Sequence, residues 1–235
     1  MLLFYAPDIV TNPQLPEAEA QHCLKVLRMK ISDIIHLTDG KGNFYQAEIA
    51  DAHPKHCKLQ LLETLPQPPL WKGKIEIALA PTKNMERIEW FAEKATEIGI
   101  DKISFLQCRF SERKDIKTER INKILVSAMK QSMKARLPEL EEITDFKKFI
   151  CKEFDGQKLI AHCYPGDKEL LSQVYNKTGN VLILIGPEGD FSEEEVAMAE
   201  AQGFVSINLG ESRLRTETAA LAACHTIHVV NQINC

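Results

Sequence analysis

The stretch 181–223, VLILIGPEGDFSEEEVAMAEAQGFVSINLGESRLRTETAALAA, decides the fold. It holds two apolar strand-like runs, at 181–185 and 204–209, and each runs straight into a glycine-bearing loop that opens a helix. Two such loops leaving one edge of a sheet make a ligand site in α/β proteins. The question is which ligand.

Upstream, strands and helices alternate in the same way. Residues 75–80 read as a strand. Residues 83–98 read as a helix with Met85, Ile88, Phe91, Ala95 and Ile98 at helical spacing, closed by Gly99. Then come a strand at 103–106, a basic helix at 117–136 ended by Pro138, a helix at 144–152 and a strand at 158–162. A short helix at 168–174 precedes the opening stretch, whose helices are expected at 193–202 and 217–230. This alternation predicts an α/β fold, a mostly parallel sheet covered on both faces.

The first part of the chain is different. Strands at 1–5, 33–38, 44–49 and 58–63, one helix at 17–27 and the turn residues 39–43 (DGKGN) predict a small β-barrel. Leu65-Pro66-Gln67-Pro68-Pro69 favours extended backbone, so the domains are expected at 1–69 and 70–235.

With 44% hydrophobic and 26% charged residues the composition is that of a soluble globular protein, and no apolar run approaches a membrane span. Residues 1–10 lack a basic region and a cleavage site, so they read as a strand rather than a signal peptide. Seven scattered cysteines without a CxxC fit free thiols in a reducing cytoplasm. The net charge of −4 excludes a uniformly basic nucleic-acid binder. Between Arg109 and Arg136, however, nine basic residues face three acidic ones. That is either a docking place for a polyanion or a solvated helix face.

As a phosphate cradle, Gly186-Pro187-Glu188-Gly189 lacks both the G-x-G-x-x-G and the P-loop spacing. Ser192 and Glu195 form a capping-box pair, and Glu193 and Glu194 share that first turn. Three carboxylates at the positive end of the helix would repel a polyphosphate, so the loop suits a neutral, zwitterionic or cationic ligand. In the second loop Thr216 can cap the last helix, with Glu217 in its first turn. Capping does not explain Arg213 and Arg215, since an arginine meets an unfavourable dipole there. Arg215 therefore points to an anionic partner or a developing negative charge. His53-x-x-His56-Cys57 and His225-x-x-His228 have no further ligands at a recognisable spacing, so no metal site is expected.

LIGPEGDFSEEE followed by LGESRLRTETAA resembles the signature pair of the RsmE-type 16S ribosomal RNA (uridine-N3) methyltransferases of the SPOUT superfamily. The resemblance extends to HCLKVLRMKISDIIHLTDGKGNFYQAEI, to EKATEIGI and to FSER at 110–113, and so covers nearly the whole chain. Asp190 stands where the family pattern has glycine, and its side chain should either narrow the pocket or point to solvent.

The resemblance implies S-adenosyl-L-methionine as methyl donor and N3 of a uridine in 16S ribosomal RNA of the small subunit as acceptor. It also implies a PUA-like barrel, a trefoil-knotted catalytic domain, a homodimer and a cytoplasmic enzyme. Carried over by position, the cofactor should meet His162, Ile185, Gly186, Pro187, Glu188, Gly189, Leu209, Gly210, Leu214, Thr216, Thr218 and Ala219. Arg215 should stabilise negative charge on the uracil ring, and Glu217 is either a general base or a helix-start residue. Lys25, Arg28, Arg109, Arg113, Lys130, Lys134 and Arg136 should grip RNA phosphates. Two other classes stay open: a different nucleotide-cofactor α/β enzyme, and a non-catalytic RNA-binding assembly factor.

Overall fold

The computed structural model describes residues 2–177 and 179–233. In chain order the elements begin with β1 (Leu3–Tyr5), α1 (Glu17–Gln21), β2 (Ile34–Thr38), β3 (Asn43–Asp51) and β4 (Lys58–Pro66). Next come β5 (Ile75–Leu79), α2 (Met85–Ile98), β6 (Lys102–Gln107), α3 (Thr118–Gln131), β7 (Glu139–Asp145) and α4 (Phe146–Ile150). The remainder is β8 (Gln157–Ala161), α5 (Leu171–Val174), β9 (Val181–Ile185), α6 (Glu193–Ala201), β10 (Val205–Ile207) and α7 (Thr216–Gln232). Among the described residues no helix is long and apolar enough to cross a membrane.

Two compact units form, one from 1–70 with 126–137 and the other from 71–125 with 138–235. The linear division expected at 69/70 leaves out that returning segment. In the first unit the sheet order is β1-β2-β3-β4, with β1 parallel to β2 and the other pairs antiparallel. The chain after β1 crosses to the far edge: Gln14 bridges Lys58, Leu15 N–H bonds Cys57 O, and Leu59 N–H bonds Pro13 O. The free edge of β4 is thereby covered, as a barrel requires. Phe4, Ile9, Leu15, Ile35, Leu37, Tyr45 and Ile49 fill the interior.

The β2–β3 turn is built on Asp39, whose carboxylate accepts from Lys41 N, Asn43 N, Asn43 Nδ2 and Tyr45 Oη. Burial pushes that carboxyl group up, but the hydrogen bonds from Asn43, Lys41 and Tyr45 outweigh it and hold the pKa below the usual value. β4 runs to Pro66, past the expected end at 63, because at the sheet edge a residue without an N–H costs little. The expected helix 17–27 is α1 continued by a π-helical turn, with Leu27 N–H bonded to His22 O.

In the second unit the sheet order is β10-β8-β9-β5-β6-β7, and every pair is parallel. β5 and β9 lie at its centre and are buried at all positions, which accounts for the unbroken apolar sequence of β9 and for that of β5 apart from Glu76, whose carboxylate accepts from Ser104 Oγ. Residues 139–145 were not expected to form a strand and 144–145 were expected as helix. β7 is a half-exposed edge strand, so its acidic residues hide the strand signal, and α4 follows it. α3 ends at Gln131 rather than 136. Met133 takes a left-handed φ of 54° and Lys134 N–H bonds back to Met129 O, so Lys134 and Arg136 lie beyond the helix.

Candidate active site

Because all six strands are parallel, the loops after β5, β6, β8, β9 and β10 leave one edge of the sheet. The loop after β9 is their meeting point, and its carboxylates make the connections. Glu188 Oε1 accepts from Lys83 N at 3.0 Å, which ties in the loop after β5. Asp190 Oδ2 accepts from Cys163 N at 2.7 Å, which ties in the loop after β8. Glu195 Oε1 accepts from Arg109 N at 2.7 Å, which ties in the loop after β6.

Glu195 has a second task. Its Oε2 accepts from Ser192 N while Ser192 Oγ accepts from Glu195 N, so the capping box is complete at the start of α6. Glu194 pairs with the Arg109 guanidinium at 2.8 Å. Two of the three carboxylates at this helix start are thus held by protein partners, and they leave no bare N-terminus for a phosphate.

Asp190 does not point freely to solvent, because its carboxylate is held by backbone N–H groups. It adopts φ 66°, a left-handed conformation that glycine takes without strain and aspartate tolerates. Besides Cys163 N, its carboxylate accepts from Phe191 N at 2.8 Å. Gly186 and Gly189 sit where a side chain would be crowded: a Cβ would lie 3.0 Å from Phe191 N at the first, and 3.2 Å from Phe110 Cβ at the second. Gly210, with φ 114°, has open space on that side.

The two signature loops meet directly. Thr216 Oγ donates to Gly186 O at 3.0 Å, a buried hydrogen bond. Thr216 therefore does not cap α7 as expected. It is the first helical residue, Arg215 occupies the cap position with φ −75° and ψ 157°, and no side chain caps this end. Ile185, Gly186 and Pro187 are buried, Leu209, Leu214 and Ala219 half-buried, and Glu188, Gly189, Gly210 and Thr218 exposed. Arg215 is exposed, and its guanidinium makes no hydrogen bond or ion pair with a described residue.

Glu217 is buried. One carboxylate oxygen lies 3.8 Å from Arg87 Nε and the other has no hydrogen-bond partner among the described residues. His162 is half-buried, with Nε2 3.0 Å from Ser206 Oγ and Nδ1 3.3 Å from Lys168 Nζ. Burial first, and the Lys168 charge second, lower its pKa from the usual imidazole value, against the opposing pull of Asp190 and Glu200.

Lys168, Tyr164 and Arg87 were not singled out in the sequence. Lys168 Nζ donates to His162 O and Tyr164 O, and Tyr164 Oη donates to Phe191 O at 2.7 Å. Lys168 acts within the loop after β8 through backbone carbonyls, which carry no sequence signal, whereas Tyr164 with Phe191 and Arg87 with Glu217 join segments far apart in the chain.

The residues expected to meet RNA are distributed between the units. Lys25 and Arg28 are exposed beside the exposed apolar side chains of Val26, Leu27 and Ile31. Lys130 pairs with Glu19, and Arg136 donates to Lys41 O and Gln67 O, all within the first unit. Lys134 is half-buried, just past the end of α3. In the second unit Arg113 donates to Thr82 O and Lys83 O, and Arg109 is held by Glu194. His228 Nε2 lies 2.7 Å from Gly99 O, and its ring stands edge-on to Trp71. The six described cysteines are free thiols, and Cys235 lies outside the described residues.

Comparison with known proteins gives a consistent result. Residues 69–228 match the model of an RNA methyltransferase domain, and residues 15–62 that of an RNA methyltransferase PUA domain. A ribosomal RNA small subunit methyltransferase E of Rickettsia conorii is 27% identical over 87% of this chain and 84% of its own. Among solved structures, a "probable rRNA-methyltransferase" from Porphyromonas gingivalis superposes with a TM-score of 0.96 at 44% identity, covering all of both chains. The ribosomal RNA small subunit methyltransferase E of Neisseria gonorrhoeae, bound to S-adenosyl methionine, superposes with a TM-score of 0.86 at 26% identity over 97% of each chain.

Proposed function

We infer, because this chain belongs to the RNA methyltransferase family, that it methylates N3 of a uridine in 16S ribosomal RNA of the small subunit with S-adenosyl-L-methionine as donor. The observation that carries this reading is the Thr216–Gly186 hydrogen bond, which brings the two signature loops into one site. The site fits that donor. Its helix start is already occupied by carboxylates, which would repel a dinucleotide but not a sulfonium, and Gly210 leaves open space where a moiety can approach the backbone. Ile185–Gly189 and Leu209-Gly210 would hold the donor through backbone groups, with Leu214, Thr216, Thr218, Ala219 and His162 around them.

The donor supplies an electrophilic methyl group. The protein must present a splayed-out uracil to it and offset the negative charge that N3 develops as its proton passes to solvent water. Arg215 has that role: it is exposed at the cap of α7, and its guanidinium is unpaired among the described residues. Glu217 takes a positioning role instead of acting as base. Its carboxylate is only 7% exposed and lies against Arg87, so it anchors the first turn of α7 that carries Arg215.

Residues 70–235 are the catalytic part in this reading, trefoil-knotted and paired as a homodimer in the cytoplasm, and 1–69 is the RNA-binding part. Within the first unit, Lys25 and Arg28 present exposed charge beside apolar side chains, which suits phosphate contact. Replacing both with alanine should weaken binding of 16S fragments and lower the slope of log affinity against log salt by about 1.5. Filter binding across a salt series checks this, and an unchanged slope would remove both residues from the interface.

The function is tested by incubating the protein with S-adenosylmethionine carrying a labelled methyl group and with 16S ribosomal RNA, free or in the small subunit. Label should reach a single uridine, located by mass mapping. RNA binding without label transfer would favour the assembly-factor reading.

A further inference from the structure

Asp190 is the residue in the signature loops that departs from the family pattern, and the structure gives its carboxylate two backbone partners on two different loops. Oδ1 accepts from Phe191 N at 2.8 Å within the loop after β9, and Oδ2 accepts from Cys163 N at 2.7 Å in the loop after β8. A glycine at this φ of 66° would be free of strain but would leave both N–H groups without this acceptor. The residues so joined belong to the site: Cys163 follows His162, and the Asp190 carboxylate lies 3.2 Å from where a Cβ on Gly186 would stand. Tyr164 Oη, donating to Phe191 O at 2.7 Å, closes a second bond between the same two loops.

We propose that Asp190 is a positioning residue for the cofactor, a clamp that fixes the 162–164 loop against the 186–191 loop before the donor binds. The proposal rests on the reading that these two loops hold S-adenosylmethionine. A site whose walls are already ordered loses less conformational entropy on binding. The carboxylate does this with one group because it is acceptor-only on both oxygens, a property no neutral isostere shares. Asparagine tolerates the same backbone conformation but can satisfy only one of the two N–H groups, turning its amide donor toward the other.

The test uses the full-length protein and the variants Asp190→Asn and Asp190→Gly. Three quantities are measured for each: S-adenosylmethionine affinity by calorimetry, melting temperature without cofactor, and hydrogen exchange of the Cys163 and Phe191 amides. We expect faster exchange at Cys163 in Asp190→Gly and at Cys163 or Phe191 in Asp190→Asn, and an affinity about tenfold weaker, with kcat at saturating cofactor nearly kept. That separates positioning from chemistry, since a general loss of folding would lower the melting temperature and quicken exchange throughout. Affinity unchanged while Cys163 exchanges faster overturns the proposal, as does unchanged exchange. Failure of the wild-type protein to bind S-adenosylmethionine is a different result: it overturns the cofactor reading itself and the proposal with it.

Discussion

Arg215→Ala should slow single-turnover methylation at saturating S-adenosylmethionine by about 100-fold, the usual scale for removing one preorganised charge stabiliser. The expectation comes from where the side chain is and what it lacks. Arg215 occupies the cap of α7, where the helix dipole disfavours a cation, and its guanidinium has no partner among the described residues to offset that cost. A charge kept in such a place is available to a substrate. Affinity for S-adenosylmethionine should change little, because the neighbouring contact that joins the signature loops is made by Thr216. Arg215→Lys keeps the charge but loses the planar fork, so it should recover only part of the rate. An unchanged rate in Arg215→Ala would take the residue out of the chemistry.

Glu195→Ala should be the most destabilising single change at the site, lowering unfolding stability by about 3 kcal/mol. The carboxylate is 5% exposed and satisfies two backbone N–H groups, at Ser192 and Arg109, that are 83 residues apart in the chain. Alanine leaves both donors without an acceptor and removes half of the capping box. Glu195→Gln retains an acceptor for one of them and should cost about half as much. Denaturant titration of the three proteins checks the order. If Glu195→Ala matches the wild type, the tie between the loops after β6 and β9 carries no energy.

These two residues differ in how far the sequence exposed them. Arg215 was legible because a cation beside a helix start contradicts a local rule, and such a conflict needs only the neighbouring residues to be seen. Glu195 was legible as half of a capping box with Ser192, again a local spacing. Its second bond, to Arg109 N, was not, because it depends on two loops meeting at the same sheet edge. The same holds for Glu188 with Lys83 and for Asp190 with Cys163. The sequence predicts a helix over 117–136 inside the basic stretch 109–136, but a left-handed Met133 follows its early end at Gln131 and the return of 126–137 places the last part of the stretch with the barrel unit. Charge counting could not anticipate that Lys130 would meet Glu19 or that Arg136 would bind carbonyls of the barrel's own turns.

The sequence by itself determined the alternation of strands and helices, the break near the proline run, the capping box of α6 and the two glycine loops. Each of these is set by interactions within a few residues, through apolar periodicity and backbone chemistry. The tertiary structure alone decided that Thr216 would bond Gly186 instead of capping α7. It alone buried Glu217 against Arg87, and it alone gave the acidic loop three backbone partners on three other strand ends. Those outcomes depend on parallel strands far apart in sequence ending side by side, where backbone N–H groups freed at the strand ends meet carboxylates of a neighbouring loop.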